Sequence, residues 1–70
     1  MAAKYARDVV HLTTEELAER LGYSPRTVED WRIGDYGPPF LPGRGGRGVR
    51  YRLVDVEAWE ESRLVRPGAA

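Results

Sequence analysis

The 70-residue sequence predicts an α+β fold, mainly α: a winged helix-turn-helix with a two-stranded β-hairpin wing and a C-terminal helix. Three observations predict it. Two short amphipathic segments, each with its own start signal, are separated by only three residues. A Gly/Pro break and a Gly/Arg-rich stretch follow, with short β-type runs on either side. A last amphipathic segment then opens with acids in its first turn.

Asp8–Leu12 is a short apolar entry, either a strand or an extended lead-in. In Thr13-Thr14-Glu15-Glu16, Thr13 can cap a helix and Glu16, three residues on, can close a capping box. Leu17, Ala18 and Leu21 recur at helical spacing, and Gly22 supplies a left-handed stop. Tyr23 leads to Ser24-Pro25, an N-cap followed by the residue best suited to a first helical position. In the second helix Val28 and Trp31 form the apolar stripe, while Arg26, Thr27, Glu29, Asp30 and Arg32 face elsewhere. Gly34–Pro39 ends that helix. Phe40-Leu41 and Val49–Leu53 read as two strands joined by the long, flexible, positive tip Pro42–Gly48. From Val54 a third helix carries Asp55 and Glu57 near its start, where the macrodipole favours acids, with Val56 and Trp59 facing the core. The expected organisation is a lead-in at 1–11, one winged helix-turn-helix domain at 12–63 and a frayed tail at 64–70.

Composition narrows the chemistry. With no cysteine there is neither a disulfide framework nor a thiolate metal site, and a single histidine, His11, has no partners for a metal or a catalytic constellation. No metal or cofactor is implied. No nucleophile and base pair appears, and Gly43–Gly48 lacks the strand-then-helix setting and the lysine of a nucleotide loop, so the sequence reads as a non-enzyme with no small-molecule substrate. No apolar leader or span is seen, and a cytoplasmic location is expected. Ten of the eleven basic residues are arginine, which with the Ala and Gly content hints at a GC-rich genome.

The formal net charge of zero conceals a segregation. Residues 14–22 and 53–63 are acidic, whereas residues 40–52 carry Arg44, Arg47, Arg50 and Arg52 with no acid. One face can therefore attract phosphate while the others repel it. In a helix-turn-helix the start of the second helix points outward, which makes Ser24, Arg26, Thr27 and Asp30 the groove-facing set and places Arg32 nearer a phosphate. Arg26 can donate two hydrogen bonds to a guanine edge, worth about 1 to 3 kcal/mol of discrimination. Glu29 and Asp30 either accept from cytosine or orient an arginine. The wing arginines give mobile donors for a minor groove or a phosphate ridge. The plain alternatives are a helical hairpin with solvated charges, and a loop whose strand arginines only guard an edge. Trp31 and Trp59 read as core rather than base-stacking residues, whose loss unfolds the domain.

The run Leu12–Val28 (LTTEELAERLGYSPRTV), Gly37-Pro-Pro-Phe40, Val49-Arg-Tyr51 and Asp55-Val-Glu-Ala-Trp59 together resemble the MerR-like helix-turn-helix proteins of the phage excisionase and AlpA type, over roughly residues 12 to 62. The resemblance implies a winged-helix binder of double-stranded DNA, acting as a recombination directionality factor or a small transcription regulator in a bacterial host's cytoplasm. It places Arg26 and Thr27 on recognition-helix positions and Arg47 and Arg50 on wing positions. The candidate partners it implies are a phage integrase and further copies of the chain, head to tail on DNA. Glu29 and Asp30 depart from the basic or neutral residues frequent there, and the wing is richer in glycine than the family norm. The leading expectation is an excisionase-like factor that bends DNA beside an attachment site. The alternatives are an AlpA/MerR-like regulator and, from a different class, a protein-interaction adapter.

Overall fold

The computed structural model describes residues 10–45 and 47–68. In chain order these form β1 (His11–Leu12), α1 (Thr14–Leu21), α2 (Pro25–Ile33), β2 (Tyr51–Arg52) and α3 (Leu53–Arg63). Three helices and a small antiparallel sheet make the winged helix-turn-helix expected from the sequence. The first residues of the expected Asp8–Leu12 entry, Gly46 of the wing and the last two residues of the tail lie outside the described residues.

Local chemistry accounts for the helix ends. The Glu16 N–H donates to Thr13 Oγ1 at 3.0 Å and the Thr13 N–H donates to Glu16 Oε1 at 2.8 Å, so both arms of the capping box are made. At the other end Gly22 has φ 82°, a left-handed conformation that costs glycine little. Ser24 Oγ accepts from the Thr27 N–H at 3.2 Å, and Pro25 opens α2.

The core is drawn from every part of the fold: Leu17 and Ala18 of α1, Val28 of α2, Val49 and Tyr51 of the wing's returning arm, and Val56 of α3. Leu12, Leu21 and Trp31 pack around it. Ala18 is small enough for the first two helices to approach closely, and it is buried. Trp31 and Trp59 differ from their expected place. Both are half-buried and stack outside the core, ring centroids 5.8 Å apart, with Tyr23 and Tyr36 edge-on. A chain this short does not fully enclose two indoles.

The sheet also corrects the expectation. Tyr51–Arg52 pairs antiparallel with His11–Leu12, His11 opposite Arg52 and Leu12 opposite Tyr51. The anticipated partner, Phe40-Leu41, contributes a single bridge, Leu41 to Arg50, with N–H···O distances of 2.7 and 3.1 Å. Two residues before Leu41, where the ladder would next need a donor facing the partner strand, stands Pro39, which has none. A second bridge, Arg44 to Arg47, closes the tip in the same register, the Arg47 N–H donating to the Arg44 carbonyl at 3.0 Å. Leu53, expected to end the strand, instead begins α3 one residue before Val54, and its N–H donates to the Val10 carbonyl at 2.8 Å.

One ion pair ties the ends of the fold together. The Arg20 guanidinium on α1 grips the Glu60 carboxylate on α3 through two hydrogen bonds of 2.7 and 2.8 Å. That donation holds the Glu60 carboxyl below its ordinary range. A carboxyl with a lowered folded pKa contributes stability that is present above its unfolded value and is lost as pH falls through the folded one. The thermal stability of the wild type should therefore exceed that of Glu60→Gln at neutral pH. The difference should shrink as the pH drops below about 4, the ordinary glutamate range, in melts followed by circular dichroism.

Candidate nucleic-acid interface

The expected groove-facing residues sit at the start of α2, held by its cap. The Ser24 and Thr27 hydroxyls lie 3.0 Å apart, so both help to shape the helix start. Arg26 follows, its side chain 82% exposed, and Asp30 accepts from Arg26 Nε at 3.4 Å. This long contact uses Nε alone, and the two terminal nitrogens have no hydrogen-bond partner among the described residues. It uses one carboxylate oxygen of Asp30, and the other has no hydrogen-bond partner among the described residues. Arg26, Asp30 and Ile33 are spaced four and three residues apart and share one helix face.

Arg32 departs from its expected orientation. Its Nη1 donates to Thr14 Oγ1 at 3.0 Å and to the Tyr51 hydroxyl at 2.8 Å, and its guanidinium carbon lies 5.7 Å from the Phe40 ring centroid. It follows Trp31 on the inward side of α2, where the half-open junction of α1, α2 and the wing offers two hydroxyl acceptors. Arg32 is therefore a brace between three elements. The sequence gives neither Thr14 nor Tyr51 a part in this contact. They stand 18 and 19 residues from Arg32, and no local pattern joins them. The alternation of Arg50, Tyr51 and Arg52 is the one available signal that Tyr51 points inward. Replacing Tyr51 by Phe keeps the ring and removes an acceptor from a charged donor, so unfolding in urea should show a loss of about 1.5 to 3 kcal/mol.

The wing arginines divide. Arg52 is held by Asp55 through two hydrogen bonds of 2.7 and 3.0 Å, which raises its pKa and neutralises it locally. Arg50 donates to the Val49 carbonyl at 3.0 Å. Among the described residues, Arg44, Arg47 and Arg50 form no ion pair, whereas Arg20, Arg26, Arg52 and Arg66 each do. Arg63 lies over the Tyr36 ring, 5.2 Å from its centroid.

A cleft of about 250 Å³ separates the wing from the helices, with Arg32, Arg47 and Arg50 lining one part and Thr13 and Thr14 at the start of α1 another. Glu15 and Glu29 also line it, and among the described residues neither forms an ion pair with these arginines. The start of α1 also borders the cleft, but its capping box and the first-turn acids Glu15 and Glu16 take up most of the positive end of its dipole. Glu15 and Glu29 offset part of the arginine field within the cleft, so the attraction is strongest towards the wing tip.

No helix among the described residues is long and apolar enough to cross a membrane. The family model described as a helix-turn-helix domain matches residues 12–64, more than half of the chain. No curated protein matches the chain.

Proposed function

The chain belongs to the helix-turn-helix domain family and is a binder of double-stranded DNA, and from that premise we propose that it is an excisionase-like recombination directionality factor. In this reading α2 enters the major groove, presenting Ser24, Arg26, Thr27 and Asp30 to base edges. The wing lies over the neighbouring backbone through Arg44, Arg47 and Arg50. The outer nitrogens of Arg32 add a phosphate contact in the cleft, and Arg52 serves the backbone only by exchanging Asp55 for phosphate. Helix and wing clamp the two sides of a groove, and that clamp bends the duplex at a deformation cost offset by the added contacts. Copies bound side by side on adjacent sites, and contact with a phage integrase, would carry the bend into a choice of excision.

The observation that carries the reading is the sorting of charge. Among the described residues, Arg20, Arg26, Arg52 and Arg66 are paired with acids and Arg63 lies over an aromatic ring, while Arg44, Arg47 and Arg50 of the wing have no acid partner and are open to a polyanion. Backbone contacts carry affinity and base contacts carry selectivity. Duplex affinity should therefore fall with salt along a log–log slope of about −4 to −5, as for four to six neutralised phosphates. Arg47→Ala should weaken binding to all sequences alike and reduce the slope by about 1, whereas Arg26→Ala should relax base preference. A change of base preference in Arg47→Ala would reverse this division of labour.

A footprint on the DNA flanking the gene and any nearby attachment site tests the biological role, joined to a gel-phasing assay of the bend. Protection beside the attachment site with a bend supports the excisionase reading. Protection confined to a promoter, without a bend, assigns the AlpA-type regulator instead.

A further inference from the structure

We infer that Ile33 reads the C5-methyl group of a thymine in the major groove, which makes it a specificity-determining residue at the far end of the recognition helix. The inference rests on the proposed placement of α2 in the groove.

Ile33 is 85% exposed and belongs neither to the core nor to the group of side chains packed against it. Single apolar residues on a surface are ordinary, and exposure alone would carry nothing. Its position distinguishes it. Ile33 continues the face that begins with Arg26 and Asp30, the two residues whose side chains meet along the outside of α2. The neighbouring exposed aromatic, Tyr36, turns away to pack on Trp31 and Trp59 and lies beneath Arg63. Ile33 takes no part in that cluster.

The backbone around Ile33 is fixed. The Gly34 N–H donates to the Asp30 carbonyl at 3.0 Å, Asp35 takes a left-handed φ of 59°, and the Tyr36 N–H donates to the Trp31 carbonyl at 2.8 Å. A β-branched side chain on such a backbone has few rotamers to lose on contact. The stripe therefore presents a donor at Arg26, an acceptor at Asp30 and a stiff apolar group at Ile33. These are the complements of the three kinds of group that base edges display in the major groove: acceptors, amino donors and the thymine methyl, the one apolar group there. Seven residues of helix span about 10.5 Å, or about three base-pair steps for a helix lying along the groove. The thymine should lie about three base pairs from the guanine that Arg26 contacts.

Selection of binding sites from a randomised duplex library, run in parallel with the wild type, Arg26→Ala and Ile33→Ser, tests this. The wild type should enrich a guanine that Arg26→Ala loses and, two to four base pairs away, a thymine that Ile33→Ser loses while keeping the guanine. Deoxyuridine in place of that thymine should weaken the wild type about fourfold, the worth of one buried methyl-sized group, and leave Ile33→Ser unchanged. Unaltered melting of Ile33→Ser separates this effect from folding. Identical enriched sites for wild type and Ile33→Ser, or tolerance of deoxyuridine at every thymine, overturns the inference and leaves the DNA-binding reading standing. A loss in Ile33→Ser seen only where two copies share one duplex, with base preference kept, assigns the residue to contact between copies and also overturns it. A wild type that binds no duplex at low salt removes the premise and the inference together.

Discussion

Leu17→Ala should unfold a large fraction of the protein at 37 °C. Leu17 is fully buried and sits in the cluster that includes Val28, Tyr51 and Val56, residues of the three other elements that meet at the core. Truncating a buried leucine costs about 2 to 5 kcal/mol through lost transfer energy and the cavity left behind. A domain of this length has only about 4 to 10 kcal/mol in total. The melting temperature should drop by at least about 10 °C, with helical circular dichroism lost in the same transition. A shift of a degree or two would mean that the helices close over the gap and that the core is not a single cooperative unit.

The second large effect should come from one methyl group on the wing. A Cβ built on Gly43 falls on the Arg47 carbonyl, a backbone atom that moves only if the hairpin opens. Gly43→Ala should therefore separate Arg44 from Arg47 and scatter the charges at the tip. Leu17, Val28 and Val56 lie elsewhere, so the helical spectrum should persist. Duplex affinity should fall at least tenfold, and the salt slope should lose about two phosphates. Gly45→Asn is the contrasting variant. Gly45 has φ 59° with open space around its Cα, and asparagine accepts that left-handed conformation in a tight hairpin turn. It should bind nearly as the wild type does. Equal losses in the two variants would show that the tip needs glycine for mobility rather than for the close approach at Gly43.

These two positions also mark what can be read from the chain and what cannot. Leu17, Ala18 and Val28 follow a helical period, and Thr13, Gly22, Ser24 and Pro25 punctuate it with local chemistry. The helix-turn-helix is accordingly visible in the sequence. The wing is less so, because its pairing depends on partners distant in sequence. His11–Leu12 pairs along the edge of β2 opposite the one that Leu41 bridges, and no periodicity in either run announces that second pairing. Arg32 shows the same limit. On the helix it is one more charged residue, and only the meeting of Thr14, Tyr51 and Phe40 turns it into a brace. Arg52 shares the wing's alternating pattern with Arg50, but Asp55, three residues on, engages it.

The bridge at the wing tip sets two positive side chains opposite each other, Arg44 and Arg47, with no acid partner among the described residues. Like charges facing across a strand pair repel. The free hairpin thus closes against its own electrostatics, and a polyanion laid along it removes that opposition. Ionic strength should act on the wing in two opposed ways. By screening the pair it tightens the empty hairpin, and by screening the duplex it weakens the complex. Amide exchange at the Arg47 N–H, measured without DNA, should slow as salt is raised, while the affinity of the same protein for DNA declines.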